Sequence, residues 1–334
     1  MGKARAKGTI WTVGTILAIV LLSVLALMLG RYQLTFQEIW SAFTRTGEIS
    51  DMADNVIFNI RLPRVLISLL AGAGLATAGA AFQAVFSNPL AAPDTLGVAT
   101  GASFGAVLAI LFGLPSLLIQ SSALVFGLLA VGLVYFVGRT KGGTSPVMLI
   151  LSGIVISLLF SALVSLVKYS ADPQDVLPAI TFWLMGSLSS VTRETLYTGA
   201  PFLIVGIAVI FLFRWKLNAL TLPQEEAQAL GIPVSRIRAI VIVGAAMITA
   251  SAVSMCGLIG WVGLLIPHIA RMLFGNNNKY VVPASIGFGA VFLLVIDTAA
   301  RCVSASEIPV SILTAIIGAP FFILLLRRTG GFRT

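Results

Sequence analysis

Runs of about twenty consecutive apolar residues recur along the whole chain and constrain its fold more than any other feature. Clear examples are residues 117–137 and 147–167. A helix of that length spans the roughly 30 Å hydrocarbon core of a bilayer. Backbone groups in lipid must be paired within the structure, so spanning segments are either helices or closed barrels. The runs lack the alternating pattern of barrel strands, which predicts an all-α polytopic membrane protein.

Composition and charge support the same interpretation. The chain is 58% hydrophobic and 10% charged, whereas soluble domains carry about 25% charged residues. The net charge of +9 does not indicate nucleic-acid binding, because Lys and Arg collect in the cytoplasmic loops of such proteins. Lys3 and Arg5 precede the first run, and Arg327 and Arg328 follow the last. Both termini are therefore predicted to be cytoplasmic.

The hydropathy pattern predicts about ten transmembrane helices within one transmembrane domain, residues 1–334. The region 239–275 has cations at both ends and must cross an even number of times, yet it is short for two full spans. One short or broken helix is expected near Gly257, Gly260 and Gly263. The other predicted spans are 10–29, 62–82, 98–112, 117–137, 147–167, 195–213, 282–300 and 309–326, with a polar outer loop at 31–59.

The segment 217–238 is a polar island between two of these spans. Thr221 is predicted to cap a short helix, with Gln224 completing a capping box. Gly231 is predicted to end that helix in a left-handed conformation, and Pro233 to begin a second short helix. Helices this short are not stable alone, so the segment is predicted to be bound by a partner protein.

Three arginines lie near predicted outer helix ends. Arg61 and Arg64 begin the second span, where the helix dipole disfavours cations, and Arg301 ends the ninth. They are either snorkelling anchors or exposed groups that dock an acidic partner. Asp297 lies four residues before Arg301, a spacing that favours a helical ion pair.

The segment around Asn88, Leu90 and Pro93 is apolar for a loop. It is either a tight turn between helices or a constriction in a substrate path.

The motifs of catalysis and of cofactor binding are missing from the sequence. There is no P-loop pattern and no GxSxG motif. The one histidine, His268, and the two cysteines, Cys256 and Cys302, have no metal-ligand spacing. We therefore predict no catalytic, cofactor or metal site and no enzyme activity in this chain.

With these residues identified, the chain resembles the permease subunits of the FecCD family, which belong to type II ABC importers of ferric siderophores, haem and cobalamin. The resembling segments are IRLPRVLISLLAGAGLATAGAAFQAVFSNPLAAPDTLGVATGA from Ile60, LNALTLPQEEAQALGIP from Leu217, GLIGWVGLLIPHIAR from Gly257 and SEIPVSILTAIIGAPFFILLLRR from Ser306. They cover nearly the whole chain. The family's acidic-His-Arg stretch reads Gly275-Asn-Asn-Asn-Lys279 here, which leaves its role open.

The resemblance implies ten helices, a second permease copy in a homodimer, two separate ATPase subunits that bind ATP and Mg, and an extracytoplasmic substrate-binding protein. It implies the cytoplasmic membrane of a bacterium or archaeon. It also implies three groups of site residues: ATPase coupling by Thr221, Glu225, Glu226, Ala227, Leu230 and Gly231; docking of the binding protein by Arg61, Arg64 and Arg301; and a gate in the translocation path at Asn88, Leu90 and Pro93.

The predicted function is import of a metal chelate, with a ferric siderophore first and haem, cobalamin or a molybdate-type oxyanion as alternatives. A bare metal ion is disfavoured, because few ligating residues lie in the spans. An ion-coupled secondary transporter is less well supported, because it needs intramembrane acids and Asp297 is the one clear candidate.

Overall fold

The structure, a computed structural model, describes residues 2–46, 49–139, 145–222, 224–229, 231–304 and 306–328. Within these ranges the chain forms helices and connecting turns, without a strand. The helices are α1 (Gly2–Met28), α2 (Phe36–Thr44), α3 (Asp51–Asn55), α4 (Leu62–Val85), α5 (Val98–Leu111), α6 (Ser116–Gly138), α7 (Pro146–Ser170), α8 (Val176–Leu184), α9 (Arg193–Phe213), α10 (Gln224–Ala229), α11 (Val234–Cys256), α12 (Val262–Phe274), α13 (Asn278–Cys302) and α14 (Val310–Arg328).

The helices confirm the predicted spans. Seven described helical segments are long and apolar enough to cross a membrane, and three shorter apolar helices occupy the remaining predicted crossings, α5, α12 and α14. The expected break in the region 239–275 is the turn between α11 and α12, where Trp261 has a φ of 69°. The 13 residues of α12 reach only about 20 Å at 1.5 Å per residue, so this helix is the short one.

The centre of the bundle is α4. The apolar window of the helical run that contains it is 83% buried, whereas that of α1 is 11% buried. Small residues allow neighbouring backbones to approach it closely. At Gly79, a β-carbon would overlap the backbone of Gly263 in α12. The segment predicted to form the gate, around Asn88, and the three arginines Arg61, Arg64 and Arg301 adjoin this central helix.

The predicted polar loop at 31–59 is largely helical, which corrects the sequence interpretation. Thr35 and Glu38 form a capping box that begins α2, and the hydroxyl of Ser50 caps α3. A π-helical turn, Val56–Arg61, then joins α3 to α4 without a break. This wider turn lies just before Pro63, which lacks the N–H that a regular helix would use there. Arg61 and Arg64 are therefore inside a long helical run and not at a free helix end.

Candidate functional site: coupling segment, gate loop and arginine cluster

The coupling segment, residues 217–238, leaves α9 through a 3₁₀ helix, Lys216–Thr221, which is followed by α10. Leu217 and Leu220 are fully buried. Residues three apart lie on the same face of a 3₁₀ helix, so both leucines pack into the core, where this turn contacts α4 and α11. Ala227 of α10 is also buried. The segment is therefore seated firmly on the membrane helices.

Gly231 has the predicted left-handed conformation, with a φ of 72°. The N–H of Ile232 donates to the carbonyl of Ala227 at 3.1 Å and closes the end of α10. The second short helix predicted after Pro233 does not exist as a separate element. Instead, α11 begins at Val234 and continues into the membrane, because no Gly or Pro interrupts its first turns.

The structure describes only some of the other predicted coupling residues. The hydroxyl of Thr221 donates to the carbonyl of Asn218 at 2.8 Å, and Glu226 is exposed at the surface of α10. Leu230, Pro223 and the side chain of Glu225 lie outside the described residues.

The gate loop, residues 86–97, is a compact series of turns. The side-chain oxygen of Asn88 accepts from the N–H of Leu90 at 2.9 Å, and the N–H of Asn88 donates to the carbonyl of Gln83 at 3.1 Å. Pro93 packs against Gly263 of α12. Leu90 is nevertheless 48% exposed. The loop is thus a tight turn that also presents an apolar side chain outward, so both sequence interpretations stay compatible with it.

Two polar contacts around the gate loop were missed by the sequence analysis. The carboxylate of Asp94 accepts from the N–H of Ala99 at 3.2 Å, at the start of α5. The carboxamide oxygen of Gln83 accepts from Arg271, which lies in the last turn of α12. Arg271 therefore connects α12 to the end of α4.

Two of these three arginines, Arg61 and Arg301, bind the C-terminal end of α1. Arg61 donates through Nη1 to the carbonyls of Leu27 at 2.5 Å and Met28 at 3.1 Å. Arg301 donates through Nη2 to the carbonyl of Ala26 at 2.5 Å. The last carbonyls of a helix lack intrahelical partners and carry the negative end of its dipole. Both arginines are therefore stabilised by the C-terminal end of a neighbouring helix, and Arg301 also lies in the last turn of its own helix, α13.

Arg64 binds two carboxylates. Its Nε and Nη2 donate to Asp297 at 2.8 to 3.0 Å, and its Nη1 donates to Glu307 at 2.9 and 3.1 Å. The predicted pair of Asp297 with Arg301 is present at 4.0 Å, but the shorter contacts are with Arg64. The sequence analysis missed this partner because the two residues are 233 positions apart.

The three arginines are buried, which corrects the expectation of exposed docking groups. Arg61, Arg64 and Arg301 are 4%, 6% and 7% exposed. We call Arg61, Arg64, Asp297, Arg301 and Glu307 the arginine cluster, and the side chain of Glu307 is its most accessible member, at 28% exposure. Docking of a partner through these residues stays a prediction. The contacts in the structure show that these arginines hold α1, α4 and α13 together.

Comparison with known proteins identifies the family to which this architecture belongs. The model of the FecCD transport family matches residues 17–328. The chain is 42% identical to the molybdate import system permease protein MolB of Haemophilus influenzae over 94% of each chain. It is 37% identical to a protein of Helicobacter pylori named as an iron chelatin transport system permease, over 94% of this chain and 97% of that one.

A solved structure has the same fold. An ABC transporter assigned to the metal-chelate type, in an inward-facing conformation, superposes with a TM-score of 0.87 at 40% identity, over 96% of this chain and 99% of the other. The relatives are named permeases, and the present sequence has no P-loop of its own. The chain is an integral membrane permease of the ABC importer class, and it belongs to the FecCD transport family.

Proposed function

We propose that this permease imports a metal chelate, with a ferric siderophore as the first candidate. The main support for this proposal comes from the acidic side chains of the membrane spans. Asp297 is committed to Arg64, and the described residues contain no group of three or more His, Cys, Asp or Glu side chains that could hold a metal ion. A path without metal ligands suits a cargo whose metal is already coordinated. The iron chelatin permease and the metal-chelate transporter among its relatives support this class.

Molybdate is the second candidate, because the chain is 42% identical to a molybdate permease. Oxyanion and chelate are separated by reconstituting the permease with its ATPase subunits and binding protein in proteoliposomes. A ferric siderophore is expected to stimulate ATP hydrolysis and to accumulate in the vesicles, whereas molybdate is not. Stimulation and accumulation with molybdate alone would replace the first candidate by the second.

We further propose a homodimer of this chain with two ATPase subunits, which hold ATP and Mg, and one extracytoplasmic binding protein. Both termini lie in the cytoplasm of a bacterial or archaeal cell, as the distribution of Lys and Arg favours. Native mass spectrometry of the purified complex is expected to give two copies of the permease and two of the ATPase.

Docking of an acidic binding protein is proposed at the arginine cluster, with Glu307 as the group that partner carboxylates displace from Arg64. Replacing Arg61 and Arg64 by Glu is expected to disrupt the fold, because both side chains are buried. Glu307→Gln is the milder test. It weakens an internal competitor for Arg64, so association with the binding protein is expected to become faster, with the larger gain at low salt.

Asp54→Asn is the matched control for this test. Asp54 also pairs with an arginine, Arg45, at 2.7 Å, but away from the arginine cluster. Equal association rates for Glu307→Gln and Asp54→Asn, at low and moderate salt, would mean that the arginines are structural anchors only.

A further inference from the structure

The stretch 275–279, which departs from the family pattern, adjoins the 3₁₀ helix of the coupling segment. The side-chain oxygen of Asn277 accepts from the N–H of Lys279 at 3.0 Å and so caps α13. The same oxygen accepts from Nδ2 of Asn218 at 2.8 Å. In return, the side-chain oxygen of Asn218 accepts from the N–H of Asn278 at 2.8 Å. Asn218 therefore uses both ends of its carboxamide on the first turn of α13.

A second contact joins the same two elements. The ammonium of Lys279 lies 4.2 Å from the centre of the Trp215 ring, within the range of a cation–π interaction. Trp215 immediately precedes the 3₁₀ helix. We call this pair of contacts, formed by Trp215, Asn218, Asn277 and Lys279, the asparagine clasp.

The clasp complements the apolar seat of the coupling segment. Leu217 and Leu220 hold the 3₁₀ helix against the core beside α4 and α11. Apolar contacts are non-directional, whereas hydrogen bonds require a defined distance and angle. The clasp therefore fixes the position and orientation of this turn relative to α13.

The far end of α13 carries Asp297 and Arg301, the members of the arginine cluster on that helix. The 25 residues of α13 extend about 37 Å at 1.5 Å per residue. One helix thus connects the clasp to the residues that hold α1 and Arg64.

We propose that Asn218 and Asn277 are positioning residues that make α13 move together with the coupling segment when the ATPase subunits close. The inference rests on the proposed function and on the further proposal that the coupling segment, residues 217–238, is the contact with the ATPase subunits. Without the clasp, displacement of the segment reaches α13 only indirectly, through α4, whose Gly72 packs against Gly289 of α13. ATP hydrolysis then proceeds with less transport.

Asn277 and Asn218 have different hydrogen-bonding roles in the clasp. Asn277 acts only as an acceptor in the clasp, since both of its described hydrogen bonds enter the side-chain oxygen. An aspartate supplies the same acceptor, so Asn277→Asp is expected to keep both hydrogen bonds. Asn218 has different requirements, because it is donor and acceptor at once.

This asymmetry defines the experiment. Asn218→Asp loses the donor and places a carboxylate against the oxygen of Asn277, whereas Asn277→Asp keeps the acceptor. Asn276→Asp adds the same charge at the neighbouring position, which is exposed and has no recorded side-chain hydrogen bond among the described residues. Each variant is purified with the ATPase subunits and reconstituted with the binding protein. The cargo imported per ATP hydrolysed is measured with ferric siderophore and with molybdate, using whichever the wild type imports.

Asn218→Asp is expected to assemble and to hydrolyse ATP, with an import ratio lowered about tenfold, as loss of a hydrogen bond with an unpaired acceptor implies. Asn277→Asp and Asn276→Asp are expected to keep the wild-type ratio. A merely structural role would instead lower assembly, ATPase activity and import together.

The inference is overturned by a wild-type ratio in Asn218→Asp, or by an equal loss in Asn277→Asp. If Asn218→Asp does not assemble, Lys279→Met, which removes the cation over Trp215, is measured in the same way, and a wild-type ratio there overturns the inference. Absence of ATP-driven import by the wild type with either cargo would refute both proposed cargoes and not the clasp.

Discussion

Asp297→Asn tests whether the arginine cluster holds the adjacent ends of α1, α4 and α13 together. The side chain of Asp297 is fully buried and accepts three hydrogen bonds from Arg64. Removing one partner of a buried ion pair leaves the other charge uncompensated, at a cost of about 3–5 kcal/mol. Glu307 continues to bind Arg64, so the lower end of this range is expected.

The exposed pair of Arg45 and Asp54 provides the contrast. Its side chains are 66% and 38% exposed at a separation of 2.7 Å, and exposed pairs contribute roughly 0–1 kcal/mol. Asp54→Asn therefore removes a carboxylate from an ion pair of similar length at little cost. The difference between the two variants isolates burial as the cause.

The buried thiol of Cys256 reports opening of the bundle in a Cys302→Ser background. Labelling by a thiol reagent in detergent tracks the open population when reclosing is fast. A loss of about 3 kcal/mol raises that population roughly a hundredfold. Labelling of Asp297→Asn less than about fivefold faster than that of Asp54→Asn would refute the reasoning. So would strictly additive effects of Asp297→Asn and Arg64→Gln, because residues of one network are coupled.

Three further outcomes are expected. Gly231→Val is expected to abolish uptake and detach the ATPase subunits while the permease still inserts, because a β-branched residue strongly resists the backbone φ of 72° at this position. Gly231→Asn is the control, because asparagine adopts left-handed backbone angles more readily. Normal co-purification of the ATPase subunits with the Val variant would contradict the prediction. Cysteines at Asn88 and Leu90, in a background without the native cysteines, are expected to cross-link between permease copies; no cross-link in any nucleotide state would remove this loop from the gate. Hydrogen bonds from the N–H and hydroxyl of Thr35 lower the pKa of Glu38, so the Glu38 carboxylate stabilises α2 above its ordinary pKa, and this stabilisation is lost as the pH falls through the lowered pKa. Hydrogen exchange of the α2 amides is expected to become faster over that pH range. The same pH profile in Glu38→Gln would exclude Glu38 as the cause.

Several features were predictable because their causes are local. The spans follow from apolar runs whose backbone must pair within each helix in lipid. The break between α11 and α12 follows from the same length argument together with nearby glycines. The left-handed conformation of Gly231 follows from the conformational freedom of a residue without a β-carbon. The helix α2 was also readable, since Thr35 and Glu38 have the spacing of a capping box, although the polarity of 31–59 led to a loop assignment.

The sequence alone therefore predicted the apolar helices and the left-handed residue after α10, but not the helices within 31–59 or the start of α11 at Val234. Only the tertiary structure decided which distant polar groups meet. Arg64 binds Asp297 across 233 positions, Arg61 binds the carbonyl of Leu27 across 34, and Asn218 binds Asn277 across 59. Such pairs depend on how helices pack side by side, and neither hydropathy nor local spacing encodes that arrangement. In a low-dielectric interior an unpaired charge is costly, so packing selects the partner that the sequence leaves open.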